Sequence, residues 1–155
     1  MRRLLLPLGV VVMLLSVSCS RVSVAAPEGF AELEGGRSYR GAYRAVSPEG
    51  MLYRVRSIKN EPQKDLAFWG EALENHLSKE GYRANGKARS FESTGNEGLY
   101  YEWILPSGNE SYLYLTALIV TDRTITLAEA AAPHPVFTQY RQALLDSLAG
   151  IRPRR

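Results

Sequence analysis

The chain has 155 residues, 45% of them hydrophobic and 23% charged, which is enough for one ordinary core and far from the composition of a disordered chain. Its formal net charge of +3 includes Arg2 and Arg3. Loss of these two with the leader described next leaves 17 basic residues against 16 acidic, so overall charge indicates neither nucleic acid nor anionic lipid as a partner.

Residues 4–18, after those two arginines, form an almost uncharged apolar run too short for a comfortable membrane span. Residues 1–18 therefore read as a secretion signal. The run ends in LSVSC at 15–19, which resembles the lipobox of bacterial lipoproteins, where small residues precede a cysteine that is acylated and becomes the new N-terminus. Cys19 is the single cysteine of the chain and has no intramolecular disulfide partner. The lipoprotein pathway, as the resemblance has it, attaches three acyl chains, and two or more anchor stably where one is marginal. Ser20 stands where Asp would suggest inner-membrane retention, so the outer membrane is favoured. The alternative is ordinary cleavage near Ala25, giving a soluble exported protein. The expected organisation is a lipoprotein signal at 1–18, a lipid-anchored tether at 19–28, one domain at 29–151 and a solvated basic tail at 152–155.

Alternation begins at 29–33, and residues 38–46 read as a strand. The turn SPEG at 47–50 has Pro and Gly where a type I turn prefers them, and residues 51–58 return as the partner strand. After Pro62, taken as a first-turn proline, Leu66, Trp69, Leu73, His76 and Leu77 recur at helical spacing. Gly81 closes this helix in the left-handed cap position, with Tyr82 packing back on the last turn. Strands follow at 82–92, 99–105, 111–120 and 125–130, separated by a loop at 93–98 and turns at 106–109 and 121–124. The third of these is apolar on both alternating faces, which places it centrally with layers above and below. Phe137, Tyr140, Leu144, Leu148 and Ile151 then mark a last helix opening at Pro133. The fold class is α+β, an antiparallel sheet sandwiched by helices (α/β/α), in the order βββ-α-ββββ-α.

The stretch GYRANGKA at 81–88 misses the phosphate-loop pattern by one hydroxyl, since Ala88 stands in place of Ser or Thr. A phosphate loop needs a strand before it and a helix after it, so that helix N–H groups converge on the anion. Here the first glycine ends a helix and a strand follows, so no nucleotide is expected.

The catalytic inventory is thin. His76 and His134 are the only imidazoles, and no metal-ligand spacing such as H-E-x-x-H occurs; no cofactor or metal is indicated. Glu129 shares a strand face with Ile125 and Leu127, and Glu102 lies within another apolar strand. A carboxylate buried in such company would have a raised pKa, the property a hydrolase acid or base needs, unless an arginine satisfies it. The aromatic set Tyr100, Tyr101, Trp103, Tyr112 and Tyr114 could line a groove or interface, or be core. Trp69, Tyr101, Trp103, Tyr112 and Glu129 are the candidate ligand or interface residues, and Cys19 the candidate lipid-attachment residue.

The signposts PEGF at 27–30, SPEG at 47–50, DLAFW at 65–69, GY at 81–82, YLY at 112–114 and LAEA at 127–130 before a helix resemble the PsbP-like superfamily over residues 29–151. That group includes the extrinsic PsbP subunit of photosystem II, a Ran-binding import factor and many small bacterial envelope lipoproteins. The resemblance implies an antiparallel sheet between helices and a history of binding proteins, with no shared catalytic residue to carry over. The expected function is a non-catalytic module binding an unknown envelope protein. The alternatives are a periplasmic carrier of an apolar ligand or lipid, and a small hydrolase using Glu129.

Overall fold

In a computed structural model, residues 22–33, 42–107 and 110–153 are described, Pro106 and Ser107 by backbone alone. The signal, Cys19 and part of the first expected strand lie outside these residues. The elements are β1 (Ala31–Glu32), β2 (Tyr43–Val46), β3 (Leu52–Lys59), α1 (Leu66–Lys79), β4 (Arg83–Ala84), β5 (Arg89–Ser93), β6 (Asn96–Ser107), β7 (Glu110–Val120), β8 (Thr124–Pro133) and α2 (His134–Ala149). All strands join one antiparallel sheet in the order β1-β2-β3-β8-β7-β6-β4, with β5 also paired to β6. The α+β class and the antiparallel sheet are as expected.

Five strands follow α1 rather than four, because the single strand expected at 82–92 is interrupted. β4 and β5 both pair with β6, but Ala84 opposes Trp103 while Arg89 opposes Tyr100. Four residues therefore span the space of two, and Gly86, at φ 95, turns the excess outward. Such a bulge blunts an exposed sheet edge. The loop expected at 93–98 is instead a two-residue turn, Thr94 and Gly95 both at positive φ, the geometry that matches the twist of a hairpin.

Helix α1 starts four residues after Pro62, at Leu66, because Asp65 supplies the cap by accepting from the Phe68 N–H at 2.9 Å. At its other end Gly81 (φ 89) and Tyr82 donate to the carbonyls of Ser78 and Leu77, closing a Schellman motif, and Tyr82 packs against the cluster that contains Leu77 of the last turn. The loop before α1 is ordered by Asn60, 4% exposed, whose amide donates to the Lys64 and Thr121 carbonyls and whose oxygen accepts from Lys64 N and Trp69 Nε1.

The strand pleat sends alternate residues of β7 to opposite layers. Leu113, Leu115, Ala117 and Ile119 meet Phe137, Leu144 and Leu148 of α2. Leu118 and Val120 meet Leu66, Trp69 and Leu73 of α1. The strand expected to be central is thus covered on both faces. The two layers are unequal. On the α2 face, Val22, Val24 and Phe30 extend the cover over Tyr53 and Val55 of β3. On the other face α1 crosses from the end of β3 to the β4 edge. Its backbone lies over β4, β6 and β7 and reaches β8 only through side chains on Ile125 and Leu127.

Of the segment expected to be a tether, Val22, Ser23 and Val24 are part of the domain. Val22 is 8% exposed in the core, and the Arg152 N–H donates to the Ser23 carbonyl at 2.9 Å in an antiparallel bridge. Alternate valines at 22 and 24 bury apolar surface that a solvated linker would leave wet. The same bridge takes Arg152 out of the expected tail.

Candidate functional site

The half of the sheet that α1 leaves uncovered carries Leu52, Arg54, Arg56 and Ile58 of β3, which alternate with the core residues Tyr53 and Val55 and so share the outer face. Register places Arg44 of β2 and Glu129 of β8 on either side of Arg54. Leu52 is 37% exposed and Ile58 48%. Between them the two guanidinium side chains are half-exposed while the Glu129 carboxylate is only 14% exposed.

Glu129 organises this row. Its Oε2 accepts from Arg54 Nη2 at 2.7 Å, Arg54 Nε at 3.2 Å and Arg56 Nε at 3.2 Å, and its Oε1 accepts from the Tyr114 hydroxyl at 2.7 Å. Burial alone would raise its pKa, but the hydrogen bonds from Arg54 and Tyr114 and the charges of both arginines outweigh that and hold it below the usual value. The expected raised pKa is therefore corrected. Burial, then the charge of Glu129, pushes the Tyr114 phenol well up, so it stays a neutral donor. Glu102 does not join this group. It opposes Leu115 on the α2 face and lies 2.7 Å from Arg141 Nη2, without hydrogen-bond geometry at that oxygen. The two carboxylates flank the sheet rather than a common cleft.

The other sequence candidates separate. Trp103 is fully buried, its Nε1 donating to Thr116 Oγ1 at 2.9 Å, and Tyr101 stacks on it at 5.5 Å under α1; both are core. Gly70 permits this close approach, since a Cβ there would lie 2.7 Å from the Tyr101 hydroxyl. Trp69 is half-buried and held by Asn60. Tyr112 is half-buried on the same sheet face as Tyr114 and Glu129. Cys19 lies outside the described residues.

Arg54 and Arg56 were not singled out from the sequence, although the alternation of YRVR shows them on one face. Among the described residues no cluster of three or more His, Cys, Asp or Glu side chains gathers, and no helix is long and apolar enough to cross a membrane. An open depression of about 470 Å³ lies beside the α1 N-terminus, lined by Gln63, Lys64, Asp65 and Asp122 among others. Its lining is mixed, with Leu66 and Val120 beside the polar side chains, and the side chain of Asn60 in its wall is spent on the loop.

No protein-family model matches the chain, and no curated protein matches it by sequence. Solved structures do. A protein of unknown function, PA94 of Pseudomonas aeruginosa, superposes with a TM-score of 0.61 at 9% identity, over 88% of this chain and 99% of that one. LpqN, involved in cell envelope biogenesis of Mycobacterium tuberculosis, gives 0.57 at 11% over 85% and 83%. Cyanobacterial PsbP (CyanoP) from Synechocystis sp. PCC 6803 gives 0.57 at 7% over 90% and 96%. At these identities the likeness establishes the fold, which is PsbP-like, and fold alone does not carry function.

Proposed function

We propose that this chain is a non-catalytic binding module of the bacterial cell envelope, lipid-anchored through Cys19, and that it engages a protein partner. The observation that carries the reading is the uncovered half of the sheet. There a preorganised row of Arg54, Arg56, Glu129 and Tyr114 lies between exposed Leu52 and Ile58, while Glu102, the second carboxylate a hydrolase pair would use, sits on the opposite face. A mixed apolar and guanidinium surface of this kind suits recognition. The role of LpqN in envelope biogenesis is consistent with an accessory task in the same compartment. The hydrolase alternative loses the raised pKa expected of Glu129.

In-cell chemical cross-linking of the tagged full chain, followed by affinity capture and mass spectrometry, tests the reading. A reproducible envelope partner retained by wild-type protein and reduced by Ile58→Glu is the expected result. Substrate turnover by the purified chain, abolished by Glu129→Gln, would overturn it.

A further inference from the structure

The shape and charge of the uncovered half-face specify what lies on it, and the inference rests on the binding-module reading above. Adjacent strands are about 4.8 Å apart, so β3, two strands from β7, lies about 10 Å to the side of the strand beneath α1. Packed helices sit about 8–10 Å apart. Among the described residues, the space beside α1 is thus one helix wide. Its length between Leu52 and Ile58, about 20 Å of strand, corresponds to about 13 residues of helix.

The chemistry of the floor selects the residues of that helix. Each guanidinium carries five N–H donors. Arg54 turns two of its nitrogens toward Glu129 and Arg56 only one, and among the described residues no other acceptor engages them. The two cations Arg54 and Arg56 are balanced by one carboxylate. A row of donors held in place in advance recognises a carboxylate by charge-assisted, bidentate geometry. Leu52 and Ile58 at either end offer apolar contact. A bilayer fits poorly, because α1 walls one side of the face and a flat surface cannot settle onto its floor.

We infer that the uncovered half of the sheet is a docking site for an amphipathic helix of a partner protein, lying beside α1. An Asp or Glu of that helix meets Arg54 and Arg56, and apolar residues one to two turns to either side cover Leu52 and Ile58. The partner helix completes the layer that α1 leaves half-built.

Benzoylphenylalanine introduced at Ile58 of the full-length chain in cells, with control positions at Glu49, Ser90 and Gln142, tests this. The expected product joins Ile58 to a helical segment bearing an acidic residue flanked by apolar ones. Arg56→Met should lower its yield on the order of tenfold, as loss of a charge-assisted contact does, while leaving thermal stability near wild type. Replacing the acidic residue of the mapped segment with Lys should lower it equally. Cross-links from Ile58 to lipid, to residues 34–41 of the same chain or to a segment without an acidic residue would overturn the inference. A partner reached only from the control positions would overturn it while leaving the binding-module reading intact; no protein product from any position would overturn both.

Discussion

Glu129→Gln removes the charge that organises the half-face while keeping its shape, so its cost can be worked from the contacts. The carboxylate accepts three guanidinium N–H groups and one phenol O–H, and is 14% exposed. Exposed ion pairs contribute about 0–1 kcal/mol, whereas breaking a buried one costs about 3–5 kcal/mol. The carboxylate is nearly buried but its partners are half-exposed and screened, so about 2 kcal/mol is expected. For a domain of this size that is about 6 °C in Tm. Urea or thermal denaturation of both proteins at pH 7 measures it, and a cycle with Arg54→Met isolates the pairwise part. The pH dependence supplies an independent check. Because the folded pKa lies below that of the unfolded carboxylate, the contribution is fully present above the unfolded pKa and is lost as pH falls through the folded one. The stability gap between wild type and Glu129→Gln should therefore narrow as pH is lowered through that range. Equal stabilities at pH 7, or a gap that stays constant down to pH 3, would refute the reasoning.

Three further outcomes are expected. Gly70→Ala should cost about 1–3 kcal/mol by overpacking, because the added Cβ meets the Tyr101 hydroxyl at 2.7 Å; Tyr101→Phe removes the clashing atom and should recover most of the loss in a denaturation cycle. Asn60→Ala should destabilise by about 2–3 kcal/mol and red-shift the emission of Trp69, since it strands the indole N–H and the Lys64 amide. Cys19→Ala should abolish acyl labelling and shift the protein out of the membrane fraction; unchanged labelling would remove the anchor from the account.

Much of the fold was legible because local rules and tertiary packing agree. Leu66 through Leu77 advertise α1, and the Gly81 cap and the Tyr82 staple follow from backbone sterics that no distant residue alters. β7, apolar on both faces, could only be central. What was not legible depends on partners distant in sequence. The pKa of Glu129 is set by Arg54, 75 residues away, and only the β3·β8 register brings them together. Trp103 and Tyr101 read equally well as groove or core until the path of α1 is known. The break at 85–88 hides in a stretch whose composition suits a continuous edge strand, and the docking of Val22 and Val24 hides in a stretch too short to show a period. The vacancy beside α1 is a property of the layer, which no single stretch of sequence encodes.

The claim that the half-face is occupied in its native setting is tested most directly by hydroxyl-radical footprinting of the full chain, purified and in the intact cell envelope. Leu52 and Ile58, 37% and 48% exposed, should be labelled in the purified protein and protected in the envelope, while His134, exposed at the start of α2 on the opposite layer, labels in both. Equal labelling of Leu52 and Ile58 in the two settings would contradict the account.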